Sequence, residues 1–258
     1  YNGLIVSEVE KAVGGRVKLG RISWGISYGI WLEIDGFSIL DASAFPGDVK
    51  LSRIYTNVSI PPLLKKKVVL NKLLLESSEV KIRVEAQPGA PPSKASGPID
   101  IGLPAVSPKP ANFQLPVKIE IEKLVIKVDR IEIDDALTIP GQTQVRVYRD
   151  VDIAATHIVP DEEMVFNLSL RSEATSGLGA LKAHGSFSGL TDTLKIENPN
   201  LKLKAVITSL KIDAIKSYLK NRLFKKQLAG SASLEIHYEG DLIKNHQSEG
   251  VIDLSQIT

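Results

Sequence analysis

Hydrophobic and polar residues alternate along most of this chain. Residues 80–85 read VKIRVE and residues 117–122 read VKIEIE. The stretches 165–170 (VFNLSL), 201–205 (LKLKA), 229–239 (AGSASLEIHYE) and 250–254 keep the same period. A period of two sends successive side chains to opposite faces, so each stretch predicts a strand with one apolar and one wet face, as in antiparallel sheets. Turn-forming residues fill the gaps at Ser77-Ser78, Asn198-Pro199-Asn200 and Glu239-Gly240-Asp241. The pattern predicts about a dozen to fifteen short strands.

Two segments carry helical spacing instead. In 2–13, Ile5, Val9, Ala12 and Val13 share a face, and Gly14-Gly15 ends the run. In 212–224, Ile215, Tyr218, Leu219 and Leu223 do the same. Asp213 suits the N-cap there, and Lys220, Arg222, Lys225 and Lys226 suit the C-terminal end. Between the strands, 87–116 holds eight prolines among Gly, Ser and Ala, which excludes ladder pairing and predicts a long loop within a single β-rich module spanning 1–258.

One phrase recurs. VKLGRISW, VVLNKLLL and IEIEKLVI start at 17, 68 and 119, so both intervals are 51 residues. All three read apolar, any, apolar, any, basic, apolar, any, apolar. The last two also agree downstream, where Val80-Lys81-Ile82 matches Ile131-Glu132-Ile133. Because the second interval contains the proline-rich loop and the first does not, the phrase reads as a recurring two-strand unit rather than a regular solenoid repeat.

Composition narrows the class. With 258 residues, 43% hydrophobic and 24% charged, the chain can build a sizeable core. A net charge of +2 does not suggest a nucleic-acid surface. The basic runs Lys65-Lys66-Lys67 and Lys225-Lys226 read as solvated tips, with contact to anionic lipid headgroups as the sharper alternative. There is no cysteine, which removes disulfides, zinc–thiolate sites and thiol nucleophiles. No apolar run is long enough to span a membrane as a helix. The abrupt start at Tyr1 reads as a piece of a longer protein, from which an anchor or signal has been removed.

Catalytic signatures are missing. His157, His184, His237 and His246 are scattered without metal-ligand spacing, and His237 alternates with Glu235 and Glu239 on a polar strand face. Gly185-Ser186-Phe187-Ser188-Gly189 has Phe187 where a nucleophile elbow needs serine. Asp134-Asp135 and Glu162-Glu163 are adjacent pairs, which strands send to opposite faces. No phosphate loop or dinucleotide fingerprint occurs. The expectation is a non-enzymatic protein with no catalytic residues, metal or cofactor.

The apolar face then poses a covering problem. A dozen strands about 4.8 Å apart make a sheet about 50–60 Å wide. Helices about 10 Å across, two of them, cover about four strands. The face must close on itself as a barrel or sandwich, or stay concave and hold an apolar ligand.

Residues now point to a family. After its amphipathic helix, RVKLGRISWGISYGIWLEIDGFSILD (16–41) resembles the N-terminal region of AsmA-like proteins. VKLSRIYTNVSIPPLLKKKVVLNKLLLESSEVKIRVE (49–85) looks like that family's strand, leucine pair, basic tip and two further strands. The segment 212–255, with Leu228, Gly230, Gly240 and Gly250, resembles its helix, strand, turn and return strand. Loop 87–116 departs from the family pattern in its prolines. The resemblance implies a Gram-negative envelope protein, grouped with TamB and the chorein-type bridge proteins, held in the inner membrane and projecting into the periplasm. It implies a long twisted antiparallel sheet curling into a groove or open half-barrel that carries phospholipid acyl chains between membranes. The groove lining would then be Val17, Leu19, Ile22, Trp24, Val68, Leu70, Leu73, Leu75, Val80, Ile82, Val84, Ile119, Ile121, Leu124 and Ile126, with Lys72 and Lys123 on the wet side. The expected partners are phospholipids, the inner membrane through the removed anchor, and envelope proteins added as strands; nucleic acid is not among them. The alternatives are an adaptor β-sandwich assisting outer-membrane protein assembly, and a secreted eukaryotic tubular lipid-binding domain, which needs a long helix not seen in the sequence.

Overall fold

A computed structural model describes residues 6–7, 10–11, 14–40, 47–84, 118–139, 142–173, 179–191, 196–211, 230–241 and 246–255. The chain is mainly β, in one long open sheet. Its strands are β1 (Arg16–Ile26), β2 (Ile30–Leu40), β3 (Gly47–Val58), β4 (Lys67–Val84), β5 (Lys118–Ile139) and β6 (Gln142–Ile158). They continue as β7 (Met164–Ser172), β8 (Ala180–Leu190), β9 (Ile196–Lys211), β10 (Ser231–Asp241) and β11 (His246–Ser255). One short helix, α1 (Ile60–Leu63), joins β3 to β4. Spatial order equals sequence order, so each strand pairs with its neighbours in the chain, and β1 and β11 are the two edges.

The strands are fewer and longer than their alternation suggests. Ser77-Ser78 is not a turn but the interior of β4, and Asn198-Pro199-Asn200 lies inside β9. Local irregularities absorb these residues: the β3–β4 register shifts around Leu51, opposite Ser77, and Asn198 has φ 47. Of the N-terminal helix, Val6–Ser7 and Glu10–Lys11 are helical, and Gly14, at φ 63, donates its N–H to the Glu10 carbonyl at 2.8 Å. The expected helix at 212–224 and the loop at 87–116 lie outside the described residues.

The sheet is not wholly antiparallel. Strands β4 and β5 run parallel, which requires a long crossover, and residues 85–117 supply it. Their register is Val68 beside Ile119, Leu73 beside Leu124, and Val80 beside Ile131. The 51-residue interval is thus the register itself. Two copies of the phrase lie side by side, each residue against its counterpart.

The phrase also explains how one face stays apolar. In a regular strand Leu19 and Ile22 would point to opposite faces, because their spacing is odd. The same spacing of three recurs at Ile34/Phe37, Leu51/Ile54, Leu70/Leu73 and Ile121/Leu124. At most of these sites two consecutive residues are exposed, as at Gly20-Arg21, Asp35-Gly36 and Glu122-Lys123. Such a pair on the wet side breaks the alternation and restores the apolar phase; where the register shifts, in β3–β4 and β6–β7, it is a β-bulge, and elsewhere the neighbouring strand carries a matching pair. Register supports this. Strand β6 pairs Arg149 with Arg171 and Asp152 with Ser169, so two of its residues oppose one of β7, and Asp150 has φ 50. Since β7 pairs with β8 without interruption, Tyr148 and Ile153 lie on one face despite their odd separation. The partners of Tyr148 follow it: Ile131, Val80, Val49, Ile39 and Val17.

Serines close the wrinkle. The Ser77 hydroxyl, in a buried residue, donates to the Lys50 carbonyl at 2.6 Å, and Ser52 Oγ donates to the Glu76 carbonyl at 3.1 Å. Ser77→Ala removes the buried hydroxyl that bonds the Lys50 carbonyl, so it should destabilise the sheet by about 1 kcal/mol in urea unfolding. Ser52→Ala, more exposed, should change it less.

Candidate functional site

The register generates rows of side chains that run across the sheet on one face. One row passes through Ile22, Ile34, Ile54, Leu75, Ile126 and Ile153 from β1 to β6. It continues through Leu168, Ala183, Ala205 and Ile236 to Gly250 on β11. No polar side chain interrupts it over eleven strands. A second row, two residues away, begins Trp24, Leu32, Thr56, Leu73, Leu124, Ala155 and Phe166. Thr56 is its polar insertion, and its Oγ1 is buried with no hydrogen-bond partner among the described residues.

The bulges bring the expected lining residues together on this face. Val17 and Leu19 rejoin Ile22 and Trp24 across Gly20-Arg21. Val68 and Leu70 rejoin Leu73 and Leu75 across Asn71-Lys72, where β4 gains a residue on β3. Val80 and Ile82 rejoin them beyond Ser78. Their parallel partners Ile119, Ile121, Leu124 and Ile126 follow. Val84 sits in β4 at the position paired with Asp135. Lys72 pairs with Asn57 on the wet side, and Lys123 pairs with Thr156 there.

Among the described residues nothing is layered over the apolar face. Elements in extensive contact are sequence neighbours only, and no side chain is fully excluded from solvent. Several of the more buried residues are small, among them Val128, Val151, Ala155, Ala183 and Ala205.

The opposite face alternates charge. One row reads Arg21, Asp35, Arg53, Glu76, Lys127 and Asp152 from β1 to β6, each beside a residue of opposite sign. Arg53 Nε donates to Glu33 at 2.7 Å and lies 3.8 Å from Glu76. Arg130 bonds Glu132 at 2.7 Å and lies 3.6 Å from Glu173, while Lys81 is 3.5 Å from Glu132. The hydrogen bond from Arg130, then the charge of Lys81, hold the Glu132 carboxyl below its ordinary range despite slight desolvation. Glu235 is lowered in the same way by hydrogen bonds from Lys204 and then His237. Leu74, Val125 and Ala154 form an apolar exception at the middle of this face. Sequence reading missed the charged rows, because their complementarity exists only once the register pairs distant residues.

A depression of about 680 Å³ lies over β7–β11, lined largely from the charged face by His184, Lys202, Lys204, His237, Glu239 and Glu249. Several of its groups already have partners: Lys204 lies 2.7 Å and His237 2.9 Å from Glu235, and Lys202 lies 3.5 Å from Glu239. Ser186 donates to Glu163 at 2.5 Å. Among the described residues no three His, Cys, Asp or Glu side chains form a metal-binding group.

Two tests separate the faces. Thr56→Val removes the orphaned hydroxyl at nearly constant shape, and should raise stability by about 1 kcal/mol in urea unfolding. On the charged face, lowered carboxyl pKa values stabilise the fold above the unfolded-state value near 4.5, and this contribution disappears as pH falls through the lower folded values. Thermal melts should therefore hold level from neutral pH to about 5 and drop below about 4.5, with a shallower drop in Glu132→Gln. In comparisons with known proteins, no family model and no curated protein matches this chain.

Proposed function

We propose that this chain is a non-enzymatic module that binds phospholipid acyl chains along its apolar face and passes them between membranes. One observation carries the reading: an apolar row crossing all eleven strands on a face that the described residues leave uncovered, backed by a charged face. A contiguous apolar surface on an uncovered face is the kind of feature that marks a binding site. Lipid tails match it in chemistry and in length.

The energetics suit a conduit. Each methylene taken from water is worth about 0.8 kcal/mol, so a tail leaves a bilayer only for another apolar surface. Exchange between bilayer and face keeps the tail buried throughout and costs little. Headgroups remain in water at the rim, so discrimination among phospholipids is weak. The proposed setting is the Gram-negative periplasm, with the full-length protein held at the inner membrane; this rests on the resemblance to AsmA-like proteins. No helix among the described residues is long and apolar enough to cross a membrane.

A second reading has its own observation. Strands β1 and β11 each have a single strand partner among the described residues, so a partner protein could add a strand at either edge.

Native mass spectrometry of protein purified from a bacterial host tests the first reading. Co-purifying phospholipid and uptake of a fluorescent phospholipid are expected. Leu73→Asp or Leu124→Asp should each lower uptake at least about tenfold, because a buried carboxylate expels the tail. Lys127→Ala, on the charged face, should leave it unchanged. Folded aspartate variants with full uptake would remove the face from lipid binding and favour the strand-addition reading.

A further inference from the structure

We infer that one corner of the sheet docks the protein onto an anionic bilayer surface. The pairs Ile26 with Ile30 and Ile30 with Val58 bring the β1–β2 turn beside the β3–β4 connection, at one end of the strands. Here the exposed large hydrophobic residues gather. Tyr28 is 104% exposed, Leu64 86%, Trp24 68% and Ile26 67%, with Ile60 beside them. The other exposed large apolar residues, Val145, Val165, Ile196 and Val251, are scattered over four strands and include no aromatic.

The corner is held in place rather than loose. Pro61 and Pro62 open α1, Ser59 N–H donates to the Val69 carbonyl at 2.9 Å, and Lys65 N–H donates to the Pro62 carbonyl at 2.9 Å. Lys66, at φ 56, donates its N–H to the Leu63 carbonyl at 3.0 Å. Leu64 therefore stays at the tip, with cations next to it. Lys67 is engaged by Glu120 at 2.6 Å, whereas Lys65 and Lys66 form no ion pair among the described residues. Glu33, a carboxylate near this corner, is held by Arg53 at 2.7 Å. Acidic residues at the same end of the sheet lie over the other half, at Asp161, Glu162, Glu163 and Glu197.

That composition fits a bilayer better than a protein. Trp and Tyr place an apolar ring and a polar handle at headgroup depth, leucine reaches the acyl boundary, and lysine stems span the two. Unpaired ammonium groups call for anions, which the headgroups supply. A second copy packed on this corner about a two-fold axis would set Lys65 and Lys66 against their own equivalents. The acidic half of the same end would be repelled, so the β1–β4 half makes contact. Docking is a property of the corner and does not require that the apolar face carry lipid.

Flotation with vesicles of phosphatidylethanolamine and phosphatidylglycerol tests it, with phosphatidylcholine vesicles as the neutral comparison. The protein should float with the anionic vesicles, less so at high salt, and poorly with phosphatidylcholine. Each lysine at an anionic surface is worth about fivefold in partitioning, so Lys65→Glu with Lys66→Glu should lower it at least about tenfold. Tyr28→Ser with Leu64→Ser, at fully exposed positions, should lower it similarly. In a Trp31→Phe background, Trp24 fluorescence should shift to the blue on adding anionic vesicles. Absence of flotation, equal flotation of wild type and both double variants, or equal affinity for neutral vesicles would each overturn the inference. Flotation lost in Leu124→Asp but kept in both corner variants would assign membrane contact to the apolar face and overturn it too.

Discussion

Backbone hydrogen bonding within a single layer is the constraint on which the rest of this structure depends. Each strand is tied to its neighbours in sequence, and among the described residues no second layer lies over either face. Stability then comes from the ladders and from side chains adjacent on one face, not from a core closed on all sides. The two faces meet this constraint differently. On one, ion pairs such as Arg53–Glu33 and Lys81–Glu132 tie strands together while remaining in water. On the other, aliphatic rows shield one another, and the remaining apolar surface is available to a ligand.

Such a sheet must keep its faces distinct along strands of up to 22 residues. Right-handed twist accumulates over that length, and bulges add to it. The bulges fall where the chain has two consecutive wet residues, and several use residues that tolerate positive φ: Gly36, Asp150 and His157. At Gly20 the packing is tight enough that a Cβ would come within 2.0 Å of the Asp35 carbonyl oxygen. The wrinkle crosses β1 to β6 and ends at β7, whose alternation is unbroken. The other half has its own irregularities, in the β8–β9 register at Ser188/Leu190 and the β9–β10 register at Ala232/Leu234.

The parallel β4–β5 pair sits at the middle of that half. Its in-register alignment places like beside like: Leu73 with Leu124, Lys72 near Lys123, Val80 with Ile131. Equal bulges in both strands keep the pairing continuous on either side of each wrinkle. A crossover here allows two copies of one unit to join without a break in the apolar row. The corner at α1 lies at the same end as the start of both strands.

Local period determined much of this. Alternation gave the strands, because successive side chains of a strand point to opposite faces; whether Val17 and Leu19 share a face with Ile22 and Trp24 depends on a break in that alternation at Gly20-Arg21, which period alone does not place. Recurrence of the phrase matches the β4–β5 register, but the same interval separates the copies in β1 and β4, which do not pair, so recurrence alone did not decide it. What the sequence left open was decided by pairing between distant residues. Ser77-Ser78 reads as a turn until β3 supplies the Lys50 carbonyl that its hydroxyl needs. Arg21, Asp35, Arg53 and Glu76 are unrelated charges until four strands align them. Trp24, Tyr28 and Leu64 are ordinary apolar residues until two connections meet at one corner. Hydrogen-bond partners, charge complements and exposure are all properties of neighbours, and neighbours across a sheet are chosen by the tertiary structure.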